Sequence, residues 1–467
     1  MENGSMFGSI KKTVRYFKRN GFLDTWYAVQ ERLWEKKHIR YVYEPPAEKE
    51  LEAQKQKKYE KALKFSIVVP AYETPEVFLQ DLILSVVEQS YEDWELIIAD
   101  ASETNAVAKV VNSFKEQYGG IVYHRLKSNE GISGNTNAAL EQATGDYTAL
   151  LDHDDFLTPD ALYMLREAID KADSPALVYS DEDKTNRYVE TFFEQHKKRD
   201  FDREILLSNN YICHLSAFRT DVIKELKLRK EYDGAQDHDL ILRTVQWCRD
   251  KYGDKELKKK IVHVPKVLYH WRCHDASTAG DPAAKQYAFD AGRHAIEEAL
   301  KAEGISAQVK EMKHLGFFRV EYEGGIFAQR KNVGIVGGPL FKDEKMCGGA
   351  MEADGKLIYD GLYQGFSGPM HIAALRQSVP AVDLRNCIIR DELIELYKDV
   401  TAYEYPFPGD DDAERVKGKS LKFCNKLREK GIEIIYDPEL IPGHPEHIIL
   451  GHPEHIIPGH PERSEGS

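Results

Sequence analysis

The chain has 467 residues, of which 42% are hydrophobic and 30% charged, and its formal net charge is −14. This composition is that of an ordinary globular protein with room for two or three domains. The acidic excess disfavours general binding to nucleic acid. No apolar run reaches the roughly 18 residues of a membrane span, and the first residues lack the apolar core of a signal peptide. Six cysteines form no CxxC pair, which favours reduced thiols and a cytoplasmic location over a disulfide frame or zinc site.

The first 44 residues form a basic, aromatic segment with near-helical spacing. Two interpretations stay open for residues 1–44. The segment contacts the anionic inner face of the plasma membrane, or it is a helix packed on the main domain. Residues 45–64 open with two prolines and are rich in Lys and Glu, as in a linker or a solvated helix.

Apolar strands alternate with amphipathic helices after residue 64. Strands are predicted at 65–70, 95–100, 121–125 and 147–152, and helices at 75–89, 106–118 and after the sequence GISGN. Alternation of this kind predicts an α/β domain with a mostly parallel central sheet and flanking helices. An Ala-rich helix at 283–303 is predicted to close this domain, whose bounds are 65–305. Ligands bind at the carboxyl ends of strands in such sheets, where Asp100 and Asp152 lie.

Two further segments follow the first domain. Residues 310–441 hold more strand and helix patterns, which predicts a second α/β region. Residues 442–467 repeat the sequence GHPE at eight-residue intervals. The density of Pro and Gly in this tail predicts disorder.

Four segments carry the residues that suggest chemistry. They read FSIVVPAYETPEVFLQDLILSVVEQSYEDWELIIADAS, NEGISGNTNAAL, LLDHDDFLTPDAL and GAQDHDLILR. In this order they resemble the family 2 glycosyltransferases, over about residues 65–300. The resemblance implies a GT-A fold, a nucleotide-diphosphate sugar donor and a divalent cation, Mn²⁺ or Mg²⁺. Residues 310–441 resemble the later half of a second such domain without its nucleotide strand and DxD motif, so we expect no independent transferase activity there.

The resemblance also implies a nucleotide site. Its residues would be Pro70, Ala71, Tyr72, Glu73, Asp100, Asn129, Gly131, Asn137 and Asp152. Asp100 suits hydrogen bonds from the base, since an ionised carboxylate only accepts. Gly131 lets the backbone approach a ligand. Thr136 stands where family members often carry Arg, so a cationic contact to the nucleotide is expected from Lys184 or Arg272.

The sequence Asp152-His153-Asp154 resembles the family's DxD motif. A cation held by carboxylates offsets the charge of a departing diphosphate. We expect Asp154 to be the direct metal ligand, Asp152 to assist through the ribose or a metal-bound water, and Asp155 to support the turn. Thr158 is predicted to cap the next helix. His274 is a further candidate ligand, with packing alone as the alternative, and an acidic helix-capping turn remains the alternative for the motif.

Asp237 matches the position at which the family places its general base. It would take the proton of the acceptor hydroxyl as that oxygen attacks the anomeric carbon, which inverts the configuration. Asp239 fits less well, because Leu240 and Leu242 indicate a helix face turned toward the core.

The sequence thus predicts a metal-dependent, inverting transferase for hexosyl or deoxyhexosyl groups. Its acceptor would be a cell-surface glycan or a lipid-linked saccharide. Two alternatives remain. A nucleotidyltransferase would carry a Gly-rich, basic loop after the first strand, where this chain reads PAYETPE. A non-catalytic scaffold that binds a sugar nucleotide would keep the pocket without the chemistry.

Overall fold

The computed structural model describes residues 3–274, 286–410 and 412–441, with side chains from residue 13 onward. The tail predicted to be disordered lies outside the described residues. The described chain divides into two units. The first holds residues up to 303 together with 311–318, and the second holds 304–310 together with 319–441.

One sheet organises the first unit. Its strands are β1 Phe65–Ala71, β2 Trp94–Asp100, β3 Ile121–Arg125, β4 Tyr147–Leu150, β5 Phe156–Leu157, β6 Leu177–Asn186, β7 Phe192–His196, β8 Ser216–Arg219 and β9 Ile261–Cys273. They are ordered β3-β2-β1-β4-β8-β6-β9-β5, with β7 beside β6. Strands β1 to β4 pair in parallel, and Ala71 lies opposite Asp100. The carboxyl ends of β1, β2 and β4 therefore meet at one edge of the sheet.

The helices of the first unit pack their apolar positions on this sheet. They are α1 Asn3–His38, α2 Glu48–Lys55, α3 Glu76–Val87, α4 Ala106–Lys115, α5 Gly131–Gln142, α6 Ala161–Lys171, α7 Arg203–Leu206, α8 Thr220–Leu226, α9 Gln236–Tyr252, α10 Leu257–Lys260 and α11 Gln286–Ala302. Helix α3 shows the pattern, because Phe78, Leu79, Leu82, Ile83 and Val86 recur at helical spacing and are buried. The first three predicted strands thus coincide with β1 to β3, and the predicted helices at 75–89 and 106–118 contain α3 and α4.

The sheet becomes mixed beyond β4. Strand β8 runs antiparallel to β4, with Ser216 opposite Leu150, and β9 runs antiparallel to β5, with Tyr269 opposite Leu157. Antiparallel pairing brings the start of one strand beside the end of its neighbour. The residues just before β8 and at the end of β9 therefore lie near the turn that follows β4.

Helix α6 begins later than the sequence predicts. It starts at Ala161 with Asp160 as the residue before it, and Thr158 makes no cap. The Thr158 hydroxyl instead donates to Asp160 Oδ1 at 3.0 Å, and the Thr158 N–H donates to the carbonyl of Leu268 at 3.0 Å. The predicted cap is wrong because the Thr158 hydroxyl donates to Asp160, and the Thr158 N–H bonds the distant Leu268.

Helix α1 contacts its own unit. Its two parts meet at Gly21, whose φ of 79° breaks the helical geometry. Arg19 pairs with Glu311 at 2.9 Å, and Lys313 Nζ lies 3.2 Å from Asp24 Oδ1. Packing on the first unit, one of the two interpretations of this segment, is therefore found. Within the described residues no helix is long and apolar enough to cross a bilayer.

The second unit has a smaller sheet of its own. Its elements are β10 Ala307–Glu311, β11 Phe318–Tyr322, α12 Ile326–Gln329, β12 Val333–Gly337, β13 Leu340–Lys342, β14 Lys345–Gly348, β15 Ala350–Met351, β16 Gln377–Ser378, β17 Ala381–Val382, β18 Cys387–Ile389, α13 Ile394–Thr401, α14 Ala413–Glu429 and β19 Glu433–Tyr436. Four strands form a sheet in the order β16-β19-β12-β18, and β12 and β19 are parallel. Tyr397 and Phe423 bring α13 and α14 into its core.

Candidate functional site

A tight turn follows β4 and contains the acidic motif. The N–H of Asp155 donates to the carbonyl of Asp152 at 3.2 Å and closes the turn. The Asp155 side chain is fully buried and accepts hydrogen bonds from the Tyr269 hydroxyl at 2.5 Å and the Arg272 N–H at 2.7 Å. Burial raises the pKa of Asp155 well above its usual range, and the charges of Asp154 and Asp152 raise it further. The contacts of Asp155 suit the supporting role predicted for it.

Asp154 lies beside His274, the residue that directly follows β9. The distance from His274 Nε2 to Asp154 Oδ2 is 2.8 Å. A carboxylate oxygen and an imidazole nitrogen are suitable donors for Mn²⁺. Among the residues described here, no group of three or more His, Cys, Asp or Glu side chains is arranged to hold a metal ion. The pair fits a cation that takes its remaining ligands from substrate phosphates and water, as Mg²⁺ commonly does.

His153 contacts the neighbouring loop rather than a metal ligand. It lies in the turn after β4, and its Nδ1 is 2.8 Å from the Thr74 hydroxyl. Because His153 lies outside β4, the alternation of side chains along a strand does not determine which way it points. Its hydrogen bond ties the acidic turn to the loop between β1 and α3.

His214 is the neighbour of Asp152 that sequence reasoning missed. Its Nε2 lies 3.6 Å from Asp152 Oδ2, and its ring stacks on Tyr269 with centroids 4.7 Å apart. Burial lowers the pKa of His214, so the ring is neutral at pH 7. The histidine reaches this position because it lies two residues before β8, which runs antiparallel to β4. The segment YICHLSAFR contains this histidine, but only the pairing of β8 with β4 shows that it lies near Asp152.

Asp237 lies in the first turn of α9. The Gln236 side-chain amide donates to Asp237 Oδ2 at 3.0 Å. Burial raises the pKa of Asp237 to about 6, the nearby Asp152 adds to the rise, and His214 opposes it. A carboxylate with this pKa is ionised at neutral pH and still accepts a proton readily, as general-base catalysis requires.

Asp239, the other candidate base, is held by ion pairs within the protein. It is buried and bonded to the guanidinium groups of Arg229 and Arg243, the latter at 2.7 Å from Nη2 to Oδ2. Two permanent cations hold this carboxylate in place. The apolar spacing around it in the sequence predicts the same distinction from Asp237.

A cleft lies between Asp152, His214, Gln236 and Asp237. Its lining residues are Val68, Pro70, Ile132, Thr136, Leu150, Leu151, Asp152, His214, Leu228, Gln236 and Asp237. Apolar walls with a few convergent polar groups are typical of small-molecule sites. The cleft brings together three of the predicted residues, Pro70, Asp152 and Asp237.

The loop after β1 carries three further predicted residues. Ala71 is buried at the end of β1, whereas Tyr72 is 42% exposed. Glu73 has a φ of 46° and accepts from the Thr104 N–H at 3.0 Å and the Thr104 hydroxyl at 2.8 Å. These bonds hold the pKa of Glu73 below its usual value. Glu73 thus fixes the loop after β2, and Tyr72 offers an open ring beside it.

Asp100 accepts hydrogen bonds from protein groups. Oδ1 accepts from the Ser102 N–H at 2.9 Å, while Oδ2 accepts from the Tyr123 hydroxyl at 2.7 Å and Arg125 at 3.0 Å. The side chain is fully buried. In this structure both oxygens predicted to bind the base are engaged by donors of the chain itself.

The loop that begins α5 is organised by local contacts. Asn129 Oδ1 accepts from the Gly131 N–H at 3.1 Å. Gly131 has a φ of 80°, and a Cβ there would collide with Asp233. Asn137 differs from expectation, because its amide donates to and accepts from the backbone of Leu228, at 2.8 and 3.0 Å. Asn137 therefore anchors Leu228 instead of facing the cleft.

Arg272 also differs from expectation. Its guanidinium is fully buried and donates to the carbonyls of Asp154 and Arg187, at 2.8 and 3.0 Å, and to Asp81 at 2.9 Å. These bonds hold the acidic turn from behind rather than leaving the charge for a diphosphate. Lys184, the other expected cation, pairs with Glu194 at 2.7 Å.

Comparisons with known proteins show what the first unit resembles. Residues 66–227 match the family model described as Glycosyl transferase family 2. The uncharacterized protein y4gI of Sinorhizobium fredii is 39% identical over 239 residues, which are 50% of this chain and 25% of that protein. The O-antigen biosynthesis protein RfbC of Myxococcus xanthus is 31% identical over 262 residues, 55% of this chain and 19% of RfbC.

A solved structure adds a more distant likeness. The crystal structure of S. aureus TarS 1–349 in complex with UDP is 17% identical, with a TM-score of 0.39, covering 51% of this chain and 65% of that one. This chain spans a quarter or less of the two curated relatives. The family match and the sheet order confirm the predicted α/β fold of the GT-A type.

Proposed function

We propose that the chain transfers a sugar from a nucleotide-diphosphate donor to a hydroxyl group, a proposal supported by the match of residues 66–227 to the glycosyl transferase family 2 model. The observation that carries the proposal is the cleft in which Asp152, His214 and Asp237 converge. The acceptor would be a cell-surface glycan or a lipid-linked saccharide, by analogy with the relative named for O-antigen biosynthesis. The enzyme would work at the cytoplasmic side of the membrane, with α1 as a peripheral contact.

The residues of the cleft and of the acidic turn beside it would act on two different groups, the departing diphosphate and the attacking hydroxyl. Asp154 and His274 would hold Mn²⁺ or Mg²⁺, which offsets the negative charge on the departing diphosphate. Asp155, Tyr269 and Arg272 keep the acidic turn in place through the contacts described above.

Asp237 would act at the acceptor. It would take the proton of the attacking hydroxyl while that oxygen bonds to the anomeric carbon. The bond from this carbon to the phosphate oxygen would break, and its electron pair would leave with the diphosphate. Attack opposite the leaving group inverts the configuration. His214 and Gln236 line the cleft beside Asp237, and burial keeps the pKa of Asp237 at about 6.

The test uses the purified full chain with Mn²⁺ and a panel of nucleotide-diphosphate sugars, and measures release of nucleoside diphosphate. We expect turnover with at least one donor, and kcat/KM should rise with pH through about 6 as Asp237 ionises. Asp237→Asn should lower kcat by about 10²–10⁴-fold. The matched control is Asp250→Asn, an exposed acid near the other end of α9.

Three results would contradict the proposal. Near-normal turnover by Asp237→Asn would show that Asp237 is not the general base. Equal losses in Asp237→Asn and Asp250→Asn would indicate a general effect on the fold. Donor binding without any turnover would favour the non-catalytic scaffold.

A further inference from the structure

Helix α1 separates its charged residues between two sides. From residue 13 onward the helix has exposed cations at Arg15, Lys18, Arg32, Lys36 and Lys37, whereas Arg19 pairs with Glu311 of the same unit. Its acidic residues, Asp24, Glu31 and Glu35, are all buried or half-buried. The outward side of the helix is therefore cationic, although the chain as a whole carries −14.

An apolar stripe runs along the same outward side. After the break at Gly21, Phe22, Trp26, Val29 and Leu33 follow one another at intervals of four, three and four residues, which places them on one helix face. Their exposed fractions are 72%, 52%, 38% and 58%. Contiguous apolar surface of this kind marks an interaction site on a protein surface.

The inward side explains where the acids go. Asp24 pairs with Lys313, and Glu31 is only 8% exposed. Burial raises the pKa of Glu35, and the charge of Glu31 adds to the rise. The acids thus face the body of the unit and leave the apolar stripe bordered by exposed cations.

We propose that the outward face of α1, from Phe22 to Lys37, docks on an anionic lipid surface. Aromatic and aliphatic side chains beside Lys and Arg are the composition by which interfacial helices bind such surfaces. Trp26 and Trp34 are both exposed on this helix, and tryptophan favours the depth of lipid headgroups. The inference rests on the peripheral contact in the proposed function and specifies its surface, and because its test measures lipid binding alone, its failure can be told apart from a failure of the transfer reaction.

The test measures co-sedimentation of the purified full chain with vesicles. One set is phosphatidylcholine alone, and the other contains equal parts phosphatidylcholine and phosphatidylglycerol. We expect about tenfold stronger binding to the anionic vesicles, weakening as salt rises. Trp26→Ser combined with Leu33→Ser should lower this binding by about tenfold, and so should Lys36→Glu combined with Lys37→Glu.

The matched control is Lys109→Glu combined with Lys115→Glu, two exposed lysines of α4 in the same unit. It changes the net charge equally and should keep wild-type binding. Equal binding to both vesicle types, no binding by the wild type, or equal loss in the control would overturn the proposal. So would a change of oligomeric state in Trp26→Ser/Leu33→Ser without any vesicle binding, since the face would then bind protein. Circular dichroism of each variant checks that the fold is retained.

Discussion

Both units place an aspartate just after a buried strand, yet they neutralise it in different ways. In the second unit Asp437 follows β19 and is fully buried. It accepts hydrogen bonds from Arg319 at 3.0 Å and Arg376 at 2.9 Å. Burial opposes its ionisation, but these guanidinium groups hold the pKa of Asp437 well below its usual range. Its charge is permanently balanced inside the fold.

Asp155 and Asp237, two acids of the first unit, have other neighbours. Asp155 accepts from a hydroxyl and a backbone N–H, and Asp237 from an amide. The pKa values of both are raised by burial. Perturbation in this direction, at a cleft, is typical of functional sites. Asp437 thus has its charge balanced inside its own unit, and Asp155 supports the turn, whereas Asp237 lines the cleft where a ligand can reach it.

The largest effect should come from Asp154→Ala. Loss of the carboxylate that faces His274 should lower turnover by about 10³-fold, because the diphosphate charge is no longer offset. Asp410→Ala, in the acidic run of the second unit, should leave turnover unchanged. Steady-state release of nucleoside diphosphate measures both. A comparable loss in Asp410→Ala would mean that the second unit takes part in the reaction.

The next effect is on stability and concerns Asp437→Asn. Removing the negative charge takes away the carboxylate that Arg319 and Arg376 share, which should cost about 3 kcal/mol of unfolding free energy at neutral pH. Urea denaturation followed by circular dichroism measures the change. Glu439→Gln is the control, since Glu439 pairs with Arg319 at 2.8 Å but is 50% exposed, and it should cost less than about 1 kcal/mol.

The smallest effect has the opposite sign. The folded pKa of Asp237, about 6, lies above that of an unfolded aspartate, so its ionisation lowers stability as pH rises from about 4 to 6. Asp237→Asn should therefore raise the free energy of unfolding at pH 7.5 by about 2 kcal/mol, and the gain should shrink toward pH 4.5. Thermal unfolding at both pH values measures it. If Asp237→Asn were less stable than the wild type, the ionised carboxylate of Asp237 would stabilise the fold as that of Asp437 does, and the two aspartates would no longer differ in this respect.

The sequence predicts the parts of the site that depend on local pattern. The buried strands β1 and β2 follow from continuous apolar runs, and the likeness to known motifs points to Asp154 and Asp237. The leucines next to Asp239 separate it from Asp237, because their spacing reveals which helix face turns inward. These signals lie within a few residues of the position concerned.

Other residues depend on contacts between distant segments. Arg272 and Asn137 look like ligand-binding groups by type, but their partners are Asp81 and Leu228, far away in the chain. His214 reaches the cleft only because β8 runs antiparallel to β4. No local pattern encodes such pairings, so neither the commitment of Arg272 to the turn nor the presence of His214 could be predicted.

Tyr269 links two parts of the candidate site. Its ring stacks on His214, and its hydroxyl donates to Asp155. One side chain therefore contacts both the wall of the cleft near the proposed base and the acidic turn near the proposed metal site. A substitution at Tyr269 should thus affect both ends of the proposed reaction at once, so changes made to one end cannot be designed without regard to the other.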